Sequence, residues 1–416
     1  MKDYLNFVRQ QWARLLFGFL TVFGGNFGQS FFVGLFGQGI QQSLDLSAGQ
    51  YSGAYSLATL GSALTVIWLG EWIDRVSLRA YTLFVCVGLA IAALVLWRAD
   101  TFLLLLVGFF LLRLFGQALL PHTGATTMAR YFDSHRGKAI SIASSGFPAG
   151  EIVLPLLATT LILQLGWQQT YLLIGLFVLV VLLPLLVWLE RASGMAADRP
   201  EALVPRASAQ APPSARRALL GDYRYWLAVP GLMAGPFIAT AIFIHQNYIL
   251  VEKGWTLTWY ALCFTVYGVV HWLSGMVCGV LVDRYRATTL LPYLPLPLAA
   301  ALLVLALVPG TWSALAMMAL LAVSVGCSPV VTGSLWPEIY GARNIGAIRS
   351  INIALVVFAT SLSPFILGFL IDRGVSLSGV MVTGAGAVLT CCLLLRLSYT
   401  ARPQPHPIAL AGDGSH

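Results

Sequence analysis

From residue 12 to residue 397 the chain is a succession of apolar runs. Each is close to the length a helix needs to cross a bilayer, about 20 residues. Twelve can be marked: 12–37, 49–69, 79–97, 101–128, 138–163, 168–189, 224–250, 255–281, 288–308, 311–336, 346–371 and 376–397. Charged residues make up 10% of the 416 positions and hydrophobic ones 58%, against about 25% charged in ordinary soluble domains. A soluble fold of this size cannot cover its surface with so few charges, whereas lipid removes that need. The pattern predicts an all-α membrane protein with twelve transmembrane helices.

The runs are punctuated twice in the same way. Gly70-Glu71-Trp72-Ile73-Asp74-Arg75 recurs 209 positions later as Gly279-Val280-Leu281-Val282-Asp283-Arg284. At that spacing Tyr131 matches Tyr340, Gly137 matches Gly346, Ser141 matches Ser350 and Pro155 matches Pro364. Seven identities on one diagonal point to one six-helix unit used twice. The predicted domains are residues 1–189 and 223–397, with a Pro/Ala/Ser/Arg-rich linker over 190–222 and a tail over 398–416. Such a linker has too little apolar surface to pack.

The basic residues set the orientation. With both termini cytoplasmic, the inner segments hold 20 of the 24 Lys and Arg residues. The outer segments hold only Arg98, Lys253 and Arg373, and Arg113 lies inside a run. This is the positive-inside bias of a consistent topology. Eleven of the twelve tryptophans fall near run ends, where an amphipathic ring favours the interface; Trp272 alone is deep. No small-residue cleavage site follows the first run, so it is predicted to remain as a span. The net charge of +8 therefore reflects topology and gives no support to nucleic-acid binding. The six cysteines all fall inside apolar runs without metal-ligand spacing, so neither disulfide nor metal is predicted.

Twelve helices, two similar halves and a Gly-x-x-x-Asp-Arg loop after helices 2 and 8 resemble the major facilitator superfamily. Gly70, Asp74, Arg75 and Arg79 match its cytoplasmic loop signature, with Ser77 in place of the usual second glycine. The resemblance implies a secondary transporter that rocks one six-helix half against the other. Gly70 is expected in a tight turn, and Asp74 is expected to pair with Arg130 as a latch. The second copy, Gly279, Asp283 and Arg284, is expected to latch likewise through Arg343. Solvated loop charges that merely fix topology are the competing explanation.

Few polar groups lie deep in the spans, where they are costly and tend to face a cavity or a partner. Arg113 in helix 4 and Glu151 in helix 5 are the two of definite charge. They are candidates for solute binding or ion coupling; a structural pair between them is the alternative. Arg113-Leu114-Phe115-Gly116-Gln117 resembles the superfamily's helix 4 motif, which implies proton coupling. Gly146-Phe147-Pro148-Ala149-Gly150 resembles a helix 5 motif of antiporters. Asn26 and Gln29 of helix 1, with Gln246 and Asn247 of helix 7, are either amide donors to a central cavity or interhelical glue. His122, His245 and His271 are weighed between packing and proton transfer, with His271 beside Trp272 the best candidate for the latter. Tyr55, Tyr267 and Asn352 are weaker candidates.

No phosphate-binding loop, zinc-protease motif or nucleophile constellation is present, so neither an ATP-driven pump nor an enzyme is predicted. The expectation is a secondary transporter of a small polar or anionic solute, a monocarboxylate being favoured by Arg113. Coupling to protons or another ion, a monomeric state, a bacterial inner-membrane location and no cofactor complete it. The alternatives are a proton-coupled exporter of amphipathic compounds and a non-transporting receptor or scaffold.

Overall fold

The computed structural model describes residues 2–132, 135–195, 219–341 and 345–399, and every regular element among them is helical. Among the described residues, eleven helices are long and apolar enough to span a membrane. The twelfth predicted span, the first in the chain, is discontinuous. This span, α1, consists of Trp12–Gly25, a single 3-10 turn Asn26–Gly28, then Ser30–Leu35 and Gly37–Leu44. The others are α2 (Ala48–Asp74), α3 (Leu78–Trp97), α4 (Phe102–Tyr131), α5 (Arg136–Leu165) and α6 (Trp167–Ala192). Next comes α7, in two pieces, Tyr223–Ile244 and Gln246–Lys253. Then follow α8 (Leu257–Tyr285), α9 (Ala287–Leu307), α10 (Trp312–Tyr340), α11 (Ile345–Asp372) and α12 (Leu377–Ser398).

Three sequence expectations change. The first run was expected to be one helix over 12–37, but its glycines and Asn26 leave it weakly committed to helix, and Gln29 is extended at φ −75°, ψ 151°. The seventh was expected to be continuous over 224–250 and is interrupted at His245. Helix α6 runs to Ala192, so Glu190 and Arg191 are helical and not part of the linker. Most of the linker (196–218), nearly all of the tail (400–416) and Arg343 lie outside the described residues.

The breaks obey the repeat, since Phe36, where α1 breaks a second time, and His245 are 209 positions apart. So are two N-caps. Ser47 forms a capping box with Gln50 at the start of α2, and the Thr256 hydroxyl accepts from Trp259 N at the start of α8.

The described residues fall into two compact units. One holds those of Met1–Arg206 together with Phe243–Asn247; the other holds those of Ala207–Ile242 and Tyr248–His416. Within the first, α2 packs on α4 and α3 packs on α4 and α6; within the second, α8 packs on α10 and α9 packs on α10 and α12. The same pairings recur in the same order, so the two units share one plan. Each leaves large apolar side chains such as Trp68, Leu103, Val180, Val280 and Leu393 exposed, which suits a hydrocarbon surrounding better than water. All six cysteines are free.

Candidate functional site

The break in α1 is where polar groups of the first unit converge. Leaving helical geometry at Asn26–Gln29 strands backbone carbonyls that need donors. One donor comes from α4: Arg113 Nη1 donates to Gly28 O at 3.0 Å. Here α4 widens into a π-helical stretch over Leu112–Leu119, of which Arg113 is the second residue; such bulges are frequent at functional sites. The backbones of α1 and α4 nearly touch, because a Cβ on Gly28 would lie 2.4 Å from Gln117 N and 2.5 Å from Leu112 O. Only glycine permits that approach.

Arg113 is 2% exposed, and its guanidinium carbon sits 4.8 Å from the centre of the Tyr55 ring of α2, a cation–π arrangement. Among the described residues no carboxylate pairs with it, and its Nε has no hydrogen-bond partner. The structural pair with Glu151 that the sequence left open is therefore not formed. Glu151 is buried one residue beyond Gly150 on α5. Asn26 Nδ2 donates to Phe23 O at 2.9 Å and across to Gly146 O of α5 at 3.0 Å. A Cβ on Gly150 would fall 2.1 Å from that amide nitrogen. So Asn26 acts as glue between α1 and α5, while the glycines of Gly146-Phe147-Pro148-Ala149-Gly150 provide the close approach. Gln29, at the break, is half-buried.

The break in α7 uses its amides the same way. The segment Phe243–Asn247 belongs to the first unit. There Gln246 Nε2 donates to Phe31 O at 3.1 Å and Asn247 Nδ2 to Gly34 O at 2.7 Å. Both donors are spent on carbonyls of α1, and both side-chain oxygens are buried without a partner. His245 between the two pieces of α7 is also buried. His271 lies on α8 in the second unit, half-buried, its ring 5.9 Å from that of Tyr267; its neighbour Trp272 is exposed.

The loop signature forms an ion pair in the first unit. Arg130 Nη1 donates to Ile73 O at 3.2 Å, and its other terminal nitrogen pairs with Asp74 Oδ1. This ties the end of α2 to the end of α4 within one unit. Gly70 is not a turn residue: it lies in the helix, and an added Cβ would meet only His122 Nε2 at 3.7 Å. The turn falls at the 3-10 segment Trp72–Asp74 instead. Gly70 O lies 3.2 Å from His122 Nε2, so His122 binds backbone. Among the described residues Arg75 pairs with Glu71, at 3.5 Å on the surface, and Arg79 lies in the first turn of α3.

The second copy is built differently. Gly279, Asp283 and Arg284 lie within an uninterrupted α8, and Arg284 stacks on Tyr285. The expected partner Arg343 lies outside the described residues. The connection from α8 to α9 is held by Glu338 of α10. This carboxylate accepts from Arg286 Nε at 3.0 Å, Thr288 Oγ1 at 2.7 Å and Ala287 N at 2.9 Å. The first unit puts the acid on the loop and the base on the helix; the second reverses them. Glu338 is offset by one residue from the position matching Arg130, and a search for identities at 209 cannot reveal a reversed pair.

Two further groups escaped the sequence reading. Asp222 accepts from Arg224 N at 2.9 Å and from the Tyr340 hydroxyl at 2.8 Å; Tyr340 is 2.7 Å from the Tyr399 hydroxyl. The network joins the ends of α7, α10 and α12. Burial pushes the Tyr399 hydroxyl well above the usual phenol range. Glu190 is fully buried on α6, with neither carboxylate oxygen in a hydrogen bond. Its place beside the linker composition disguised it.

Comparison with known proteins agrees with this plan. The family model described as Major Facilitator Superfamily matches residues 18–347. An uncharacterised MFS-type transporter of Bacillus subtilis (strain 168), YcxA, is 27% identical over 183 residues, 43% of this chain and 44% of that protein. The chain therefore aligns with less than half the length of that relative. Among solved structures, a bacterial homolog of the human lysosomal transporter Spinster is similar in fold. In its inward-facing, occupied conformation the TM-score is 0.72 at 15% identity, over 97% of this chain and 98% of that one. In its inward-facing, unoccupied conformation the score is 0.66 at 15% identity, over 96% of each. With its membrane-length apolar helices, repeated helix pairing and family match, the chain belongs to the Major Facilitator Superfamily of membrane transporters.

Proposed function

We propose that this transporter carries a small organic anion, a monocarboxylate in the simplest case, by ion-coupled alternating access. One observation carries the reading: Arg113 is buried at the break of α1 with no carboxylate partner among the described residues. A buried guanidinium is costly unless a counter-charge is supplied, and a solute carboxylate would supply it in the fork geometry that arginine favours. The Tyr55 ring lies against the guanidinium at 4.8 Å. Glu151 and His271 are the candidates for proton coupling. The two six-helix units are the moving bodies, and the Asp74–Arg130 and Arg286–Glu338 pairs are the polar contacts at which their loops are held. The setting proposed is a bacterial inner membrane, with the protein acting as a monomer.

The test is counterflow in proteoliposomes preloaded with lactate, pyruvate or benzoate, each set against its amide. Exchange of the acids and not the amides is expected, and Arg113→Lys should abolish it because a point charge does not reproduce the fork. Equal exchange of acids and amides, or full exchange by Arg113→Lys, would refute the reading.

A second reading, export of amphipathic compounds, is favoured by a cavity of about 240 Å³ in the first unit. Phe27 beside the α1 break, Phe32, Leu154, Leu161 and Phe177 line it, with Thr170 as its single polar side chain. Such a wall takes an apolar body without discriminating charge. Exchange of neutral amphipaths at rates matching the acids would favour this alternative.

A further inference from the structure

The second unit contains a cavity that the loop signature and the α1 break do not involve. It measures about 370 Å³ and lies between α7, α10 and α11. Its openness has a local cause. Helix α10 carries Pro329 and Gly333 on this face, and a Cβ added to Gly333 would meet nothing within 4 Å. Apolar side chains line it, among them Leu232 and Met233 of α7 with Val356 and Val357 of α11. Polar ones line it as well: Ser328, Thr332, Trp336, Arg349 and Asn352.

The polar part of the lining is rich in donors. Arg349 is exposed on it and makes no hydrogen bond or ion pair among the described residues. The Ser328 hydroxyl and the Trp336 indole N–H are likewise uncommitted among the described residues. Asn352 is fixed in place, donating from Nδ2 to Ile348 O at 2.9 Å and accepting from the Tyr225 hydroxyl at 3.5 Å. Thr332 donates to Ser328 O at 2.7 Å. No carboxylate lines the cavity. A guanidinium with O–H and N–H donors and apolar side chains lining the same cavity matches a ligand with an acceptor-only head and an apolar body. Ligand pockets typically run from about 300 to 1,000 Å³, so this one suits a single compact ring or a short branched chain. An arginine that only fixed topology would need neither the cavity nor the companion donors.

We propose that this cavity is a binding site for a small amphipathic monocarboxylate, with the carboxylate on Arg349 and the apolar body against Leu232 and Met233. It deepens the anion reading by adding a second cation in the second unit, and binding here can be measured without transport. The probe is 4-azidobenzoate, photolysed with the purified full-length protein, with adducts mapped by mass spectrometry. Adducts are expected on α7, α10 and α11 around the cavity, suppressed by benzoate and not by benzamide. Arg349→Gln should raise the half-saturating concentration by about ten-fold or more, the loss of one charge-assisted hydrogen bond, and Arg349→Lys should recover part of it.

Gly333→Leu should block labelling without lowering the melting temperature, because its side chain grows into empty space. Adducts confined to other regions would overturn the proposal. So would wild-type labelling in both Arg349→Gln and Gly333→Leu, equal suppression by benzamide, or suppression by phosphatidylglycerol in place of benzoate, which would assign the site to an anionic lipid. The two readings fail separately. Arg349-dependent labelling with no Arg113-dependent exchange removes the transport reading alone; Arg113-dependent exchange with no labelling of the cavity removes only this one.

Discussion

Replacing Gly28 by alanine tests whether the backbone contact between α1 and α4 organises the site. The added Cβ would lie 2.4 Å from Gln117 N and 2.5 Å from Leu112 O, both main-chain atoms, where ordinary contact begins near 3.4 Å. Clearing them requires about 1 Å of separation between the helices. Overpacking of this kind costs about 1–3 kcal/mol. The same movement stretches the Arg113–Gly28 hydrogen bond from 3.0 Å beyond bonding range, and a bond from a charged donor is worth about 1.5–3 kcal/mol. Together the loss is about 2.5–6 kcal/mol, and each kcal/mol lowers the melting point of a body of this size by about 2–4 °C. Gly235→Ala is the control, since its Cβ meets nothing within 4 Å and helix propensity favours alanine by about 1 kcal/mol. Thermal melts in detergent should place Gly28→Ala well below wild type and Gly235→Ala at or above it. Gly28→Ala melting level with Gly235→Ala would refute the contact.

Asp74→Asn should slow solute exchange while leaving membrane insertion unchanged. Because the Asp74 side chain is 57% exposed, a double-mutant cycle with Arg130→Gln should give a coupling of only about 0.5–1 kcal/mol in thermal stability; zero coupling would reduce the pair to loop charges. Glu338→Gln should cost more than Asp74→Asn, about 1–3 kcal/mol, because Arg286, Thr288 and the amide of Ala287 all donate to one carboxylate; equal melts would contradict that. Tyr340→Phe should destabilise more than Tyr399→Phe, by about 1–3 kcal/mol, since Tyr340 is the phenol that donates to buried Asp222. The reverse order in denaturation would show that the network is wired differently.

The spans, the repeat and the Asp74–Arg130 pairing were legible in the sequence, because hydropathy and charge placement act over whole helices. What escaped it depends on where a backbone ceases to be helical. The stretch Gly24-Gly25-Asn26-Phe27-Gly28-Gln29 is apolar enough to count as span, and only packing against Gly116 and Leu112 shows that α1 unwinds there. Once it does, the amides read as possible cavity donors are absorbed. Asn26 goes to Gly146, Gln246 to Phe31 and Asn247 to Gly34. Arg113 was legible as a deep charge, but not its partner, since a carbonyl freed by a helix break has no signature in residue type. The reversed pair Arg286–Glu338 was hidden because the repeat keeps the interaction and exchanges the residues. Arg349 was read as one more inner-side charge; the empty space beside Gly333, which gives it a context, exists only in three dimensions.

The most direct test of the account is uptake of radiolabelled lactate into proteoliposomes under an imposed inward proton gradient, with protein-free vesicles as background. Wild-type protein is expected to accumulate lactate transiently above its equilibrium level, and Arg113→Lys protein, inserted to the same extent, to stay at background. Accumulation by both proteins alike, or by neither across the set of monocarboxylates, would contradict the account.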